Sequence, residues 1–445
     1  MASDEQQVET VLRTVAERDV RFIHLWFTDI LGQLKSFSIN ADRLNDALAD
    51  GIEFDGSSVT GFNAVEESDL VARPQASTLS VLPWRPNEQA AARLICDIQT
   101  PNGLPYEGDS RHVLRRAIDR AQRMGFDGVK LAAELEYYLF TELGGTKTVD
   151  QGGYFDLTTM DAGSDVRRAT VLALDQLGVE VSASHHESGP SQHEIAIVSD
   201  DLLRAADDLI TTRITVKEYA LAAGWHATFM PRPLGNENGS GLHLDQILLK
   251  DGDNAFVDPK SPRQLSETGR QFVAGQLRHA SEISLLMAQW VNSYKRLVPG
   301  YEAPVWVAWS RRNRSAMIRV SGLERDAGSG PRVETRSPDP ACNPYLVLAA
   351  LLHAGLEGIE HGYELPEPME RNLYHASGEE RRRLGIEQLP ENLNDAMDKA
   401  ENSELLLRIL GEHMLNRFLE LKRNEWEEYR VQVHQWERDR FLPIL

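Results

Sequence analysis

The residues best equipped for chemistry sit in three short segments. Glu134 and Glu136 lie two apart, His185, His186 and Glu187 run on to His193 and Glu194, and Arg332, Glu334 and Arg336 alternate late in the chain. His243 adds an imidazole between the second segment and the third. Each acidic pair is embedded in an apolar, strand-like run, where an unpaired carboxylate costs so much free energy that it persists only against a cation. Oxygen-rich sets of this kind suit Mg²⁺ or Mn²⁺, and a single imidazole is tolerated by Mn²⁺ in particular. A divalent metal site is the first expectation, and a solvated polar face on an edge strand is the plain alternative for any one pair taken alone.

The elements that must position these groups follow from periodicity. Residues two apart on a strand share a face, so a strand over 129–140 puts Glu134, Glu136 and Tyr138 on one side. Carboxylates that close repel and drive one pKa up unless a cation lies beside them. Glu187 closes a second strand and Glu194 opens the next across a Ser-Gly-Pro-Ser connection, while Glu334 and Arg336 repeat the spacing on a late strand. Asp109 and Ser110 cap a helix that Gly125 ends, and helix-then-strand recurs over 165–177 into 179–186 and over 200–223 into 225–230. Long helical patterns over 264–290, 345–361 and 393–431 complete a mixed α and β region. Before it, a helix ending near Asp19 leads into a hairpin, 20–28 returning over 33–39 through a turn at Gly32. The PNGLP stretch at 101–105 reads as a linker, dividing the chain near residue 105.

Composition excludes several classes. The chain has 445 residues, enough for two or three domains, and a formal net charge of -21, which argues against a nucleic-acid groove as the main surface. Cys96 and Cys342 are its two cysteines, so no disulfide framework is expected and a reducing cytoplasm is the default. The N-terminus is polar and acidic, unlike a signal peptide, and no apolar run approaches the ~18 residues of a spanning helix. On so acidic a chain, the arginines from Arg311 to Arg319 read either as a phosphate or carboxylate clamp or as a surface salt-bridge network. The glycines of Asn238-Gly-Ser-Gly241 could let backbone amides approach an anion, though such a loop is more often an ordinary turn. The Pro-Gly bend in Lys295 to Glu302 could act as a flap.

Seven segments, FDGSSV, ELEYYLF, SHHESGPSQHE, NGSGLH, KRLVPGYEAP, RNRSAMIR and RVETRSPDPACNPY, occur in this order from Phe54 to Tyr345. Together they resemble the type I bacterial and archaeal glutamine synthetases, in the shorter branch that lacks an insertion before the late strands. The resemblance implies an α+β fold: a small β-grasp domain over 1–105, then a catalytic domain over 106–445 with a curved antiparallel sheet and flanking helices. It also implies a cytoplasmic dodecamer of two stacked hexameric rings with active sites between subunits, using ATP and two or more Mg²⁺ or Mn²⁺ ions. No nucleic-acid or membrane partner is expected.

Carried over residue by residue, the resemblance assigns one metal to Glu136, Glu187 and Glu194 and a second to Glu134, His243 and Glu334. Glutamate would be held by Asn238, Gly239, Arg296 and Arg336 under a flap bearing Glu302. Arg314 and Arg319, with Arg332 beside them, would meet the nucleotide phosphates and the phosphoryl in flight, Arg314 counting as catalytic. Asp55 and Ser58 of a neighbouring subunit would join Tyr154 and Glu187 around ammonium, Asp55 taking its proton. ATP would phosphorylate the γ-carboxylate and ammonia would attack the acyl phosphate.

Several positions depart from the family pattern. Ser182 replaces a glutamate, Asp245 a histidine and Ile247 a serine, all in the nucleotide pocket, and 326–331 replaces a stretch that normally carries basic residues. Ala64 stands where feedback-regulated short-branch enzymes carry arginine. Tyr374 matches the position adenylylated in the longer branch, which is no evidence of modification. Three readings follow: glutamine synthetase; a sibling ligase joining glutamate to an organic amine such as ethanolamine or a polyamine; and a catalytically weak regulatory paralogue.

Overall fold

Strands buried on both faces over much of their length, Val20–Thr28 (β1) among them, build the first domain. The computed structural model describes residues 4–62, 68–261, 264–323, 330–371, 373 and 378–445. After helix α1 (Asp4–Glu17), β1 pairs antiparallel with β2 (Leu34–Asn40) across the turn at Gly32, whose φ of +77° suits glycine. Helix α2 (Leu44–Asp50) and strands β3 (Ile52–Asp55), β4 (Asp69–Pro74), β5 (Ser80–Val81) and β6 (Ala90–Gln99) follow. The order is β2-β1-β6-β4-β3, with β1 and β6 parallel at the centre and β5 against β6. One face, with Ile23, Leu25 and Phe27, forms this domain's own core with Leu44, Leu70 and Leu94. The opposite face, with Trp26 and Ile95, packs toward Ile214 of the second domain.

The second domain opens with α3 (Ser110–Arg123), capped by the Asp109 carboxylate, which accepts from the Arg111 N–H. Its strands are β7 (Gly128–Phe140), β8 (Glu180–His186), β9 (Gln192–Ser199), β10 (His226–Thr228), β11 (Leu242–Lys250), β12 (Asp253–Asn254), β13 (Trp306–Ser310), β14 (Ala316–Ser321), β15 (Arg332–Thr335) and β16 (Glu387–Gln388). The main sheet runs β16-β13-β14-β15-β11-β7-β9-β8, with β10 on β7 and β12 on β11. Every pairing is antiparallel except β13 with β14. Among the helices, α4 (Ser164–Gln176) and α5 (Leu202–Ala222) fill the connections around β8 and β9.

The late helical patterns break where single helices were expected. The 264–290 stretch forms α6 (Glu267–Arg278) and α7 (Ala280–Met287), broken at His279, and is followed by α8 (Ser293–Arg296). Helix α9 (Pro344–His361) stays whole, with Asn343 capping it and Gly362 closing it in the left-handed conformation. After α10 (Gly378–Arg383), the 393–431 stretch divides into α11 (Leu393–Glu401) and α12 (Glu404–Arg430), because Ser403 caps a new start, and Gly411 kinks α12. Helix α13 (Gln435–Phe441) ends the chain's regular structure. Polar joints tie the domains: Asn343 donates to Ile30 O and Ser110 Oγ, and Arg111 bridges Asp97 on β6 to Asp207 on α5. Among the described residues no helix is long and apolar enough to cross a membrane. Ala64, Tyr374 and most of 326–331 lie outside the described residues.

Candidate metal and phosphate centre

Strand register brings the acidic segments to one place. On β7 Glu134 lies opposite His243 of β11, and Glu136 lies opposite Glu194 of β9, which in turn faces His185 of β8. Glu334 of β15 faces Asp245 on one side and Arg319 on the other. Small residues Ala132 and Ala196 occupy neighbouring pairings and leave the face open. The result is a cavity of about 340 Å³ lined by six glutamates, Glu134, Glu136, Glu187, Glu194, Glu302 and Glu334, against three guanidinium groups, Arg314, Arg319 and Arg336, with Tyr154, His185 and His243 beside them. A smaller recess of about 40 Å³ continues from it to Asn238, Gly239 and Arg296.

The electrostatics of this excess are explicit. Burial, then repulsion from Glu134, Glu136, Glu187 and Glu334, pushes Glu194 up to about 10. Glu136 is pushed up to about 7, chiefly by burial and, among its charged neighbours, by Glu187. Burial opposes ionisation of Glu134 most strongly, but the His243 hydrogen bond at 2.9 Å and the charges of His243, Arg319 and Arg336 together outweigh it and hold the carboxyl below its ordinary value. Glu334, 1% exposed, is gripped by Arg319 and by Arg336 Nε at 3.3 Å. Without a further cation, several of these carboxyls take a proton instead of a charge.

Two donor groupings fit divalent ions. Ligand atoms of Glu134, His243 and Glu334 lie within 4.8 Å of one another, and so do those of His185, Glu187 and Glu194. All are hard oxygens or imidazole nitrogens, the set that Mg²⁺ or Mn²⁺ accepts. The first grouping is the trio assigned to the second metal. In the second, His185 stands where Glu136 was expected: its Nε2 is 2.9 Å from Glu187 Oε1 and its Nδ1 3.8 Å from Glu194 Oε1. Glu136 instead accepts from Gly241 N–H at 2.9 Å and Gln192 Nε2 at 3.0 Å, still on the cavity wall. His185 was visible in the HHE run, but its outward projection at a strand end was not.

The arginines and the glycine loop expected to meet anions are hydrogen-bonded in place. Arg296 donates to Ser337 O at 2.7 Å and Arg336 O at 3.0 Å, and Arg336 donates to Arg314 O. Tyr138 donates to Asn238 O at 2.7 Å and the Ser240 N–H to Pro231 O at 2.8 Å, which fixes the glycine loop. A Cβ at Gly239 would meet the Pro231 carbonyl oxygen at 2.5 Å, backbone that cannot step aside, so glycine is required there. Glu302 adopts φ +56°, a costly conformation for a non-glycine residue, at the bend expected to form the flap. Asp55 and Ser58 lie outside the cavity of this chain, on the first domain, where the Asp55 carboxylate accepts from Ser57 N–H and Oγ. Arg332 is also outside it.

Comparisons agree with this geometry. Family models described as the glutamine synthetase beta-Grasp domain and catalytic domain match residues 19–101 and 107–441. The chain is similar to the glutamine synthetase of Methanosarcina mazei, 46% identical over 98% of both chains. It is also similar to that of Mycolicibacterium smegmatis, 47% identical over 99% of this chain and all of that one. Among solved structures, a GmaS/ADP complex superposes with a TM-score of 0.88 at 29% identity, covering 97% of this chain and 99% of that one.

Proposed function

The chain belongs to the glutamine synthetase family, in the short form of type I, and from that premise we propose that it joins glutamate to ammonia with ATP, through γ-glutamyl phosphate. The observation that carries this reading is the joining of two carboxylate-rich donor groupings and three arginines in one cavity. Phosphoryl transfer needs that arrangement, because charge spreads over the phosphoryl oxygens while the attacking and leaving groups stay in line. Divalent ions bound there would supply Lewis-acid stabilisation of that charge. Glu187 and Glu194, with Glu136 or His185, would hold one ion and Glu134, His243 and Glu334 another, with Mg²⁺ or Mn²⁺ as the metal.

The chain's own groups do the rest. Arg296, Arg336, Asn238 and Gly239 orient glutamate, and the Arg296 and Arg336 bonds to backbone carbonyls keep their forks in place before substrate arrives. Arg314 and Arg319 meet phosphate oxygens, with Arg332 behind. Glu302 closes over the substrate and excludes water from the acyl phosphate. Asp55 and Ser58 of a neighbouring subunit complete the ammonium position with Tyr154 and Glu187, and Asp55 takes the ammonium proton. The Ser57 hydrogen bonds lower the pKa of Asp55 and keep it ionised, which suits it to hold ammonium by charge and makes it a weaker proton acceptor. This reading carries with it a cytoplasmic dodecamer of two hexameric rings and a domain boundary between 101 and 107.

A second reading, transfer to an organic amine, is favoured by Tyr154, which is 49% exposed and leaves room at the acceptor end. Purified protein with glutamate, ATP and Mg²⁺ or Mn²⁺, assayed for phosphate release with ammonium, methylamine and ethanolamine, separates the two. Release with amines but not with ammonium sinks the first.

A further inference from the structure

Between the β1–β2 hairpin and helix α5 lies a second cavity, of about 280 Å³, that shares no lining residue with the metal-rich one. Two cations face it: Arg213 and Lys217, four residues apart on one side of α5, a spacing at which like charges repel. Neither forms an ion pair among the described residues. Glu218, the nearest carboxylate in sequence, turns to Arg85 at 3.4 Å. Asp339, the carboxylate that acts most on Arg213, accepts from the Ala341 N–H. Arg213 donates Nη2 to Cys342 O at 2.8 Å, but its Nε is buried with no partner. Arg213 is half-buried and Lys217 exposed, its ammonium 5.8 Å from the centre of the Phe229 ring. On a chain of net charge -21, two neighbouring cations with no carboxylate in ion-pair range, one of them with an unpartnered Nε, point to an anion from outside.

Most of the remaining wall is apolar, from Leu34, Ile210, Ile214 and Phe229, with Gln33 and Thr228 as polar interruptions. Inorganic anions gain nothing from such a wall, whereas an acid with a short hydrocarbon body does. We propose that this cavity is a binding site for a small organic acid, its carboxylate between Arg213 and Lys217 and its body against Ile210, Ile214 and Phe229. The site rests on no reading of the metal-rich cavity.

Calorimetric titration of the full-length protein with acetate, butyrate, hexanoate and inorganic phosphate, at ionic strength fixed with chloride, tests it. Arg296 and Arg336 also attract carboxylates, so the discriminating readout is the Lys217→Gln variant, whose side chain is exposed enough to leave the fold intact. Binding should tighten from acetate to hexanoate, weaken about tenfold in Lys217→Gln, and stay within about threefold of the parent in Lys217→Arg. Absence of hexanoate binding at millimolar concentration, equal binding in Lys217→Gln, or phosphate binding as tightly as hexanoate would each overturn the proposal.

Discussion

The two ends of the metal-rich site are built on the same strands and differ in how their charges are answered. At the metal end the carboxylates on β7 accept hydrogen bonds, Glu134 from His243 and Glu136 from Gly241 and Gln192, Glu334 on β15 is ion-paired to Arg319 and Arg336, and Glu194 on β9 has the His185 ring at 3.8 Å. Two residues along β11, toward the end where the resemblance expects the nucleotide, Asp245 Oδ1 is buried with no hydrogen-bond partner. Burial, then Glu334, pushes its carboxyl up to about 7, and Arg332 only partly offsets this. Ser182 donates to Ala196 O at 3.3 Å, and half-buried Ile247 offers no polar atom. The contrast teaches that one end is organised in advance for cations, while beyond the Arg314 and Arg319 guanidinium groups the far end of β11 offers a carboxyl and an apolar side chain in place of further donors.

The largest effect should come from breaking the organised end. Glu334→Gln keeps the shape but removes the charge shared by His243, Arg319 and Arg336, so turnover should fall by more than about 100-fold and Mn²⁺ binding, read by electron paramagnetic resonance, should lose its tighter phase. Turnover within about threefold of the parent would remove Glu334 from the metal set. Removing metal is the next test. In the metal-free protein Glu136, Glu194 and Asp245 have folded pKa values above their unfolded ones, so their stabilising share is complete below about pH 4 and is lost as pH rises through about 7 and beyond. Tm without metal should therefore drop by about 2–5 °C more between pH 5.5 and 8 than with saturating Mg²⁺. Parallel pH profiles with and without metal would show that the carboxyls do not sense the ion.

Much of this contrast was legible beforehand, for a physical reason. Period-two alternation fixes which face a strand residue takes, so Glu134, Glu136, Glu334 and Arg336 could be placed on their faces from spacing alone, and the β1–β2 hairpin follows from apolar alternation around Gly32. Cross-strand neighbours are a matter of register, and spacing carries no register. That is why His185 beside Glu187 and Glu194, and Asp245 opposite Glu334, emerged only in three dimensions. The helix breaks at His279 and Ser403 escaped for a related reason: apolar periodicity runs across a cap, and the caps depend on where the flanking helices pack. Asp55 and Ser58 remain a matter of resemblance, since their expected partners belong to another copy.

The smallest effect is the one that sharpens the comparison most. Asp245 shares the site-facing side of β11 with His243, and its carboxyl is neutral below about pH 7 and charged above it. If phosphate oxygens approach from that end, the charged form repels them and the neutral form does not. KM for ATP should then rise as pH goes from 6 to 8, and Asp245→Asn, which cannot ionise, should abolish most of that rise and lower KM by about three- to tenfold at pH 8 while changing it little at pH 6. Glutamate KM, set at the opposite end by Arg296 and Arg336, should stay within about twofold. An Asp245→Asn protein whose ATP KM still climbs with pH like the parent's would place the nucleotide away from β11, and the two ends would no longer share one site.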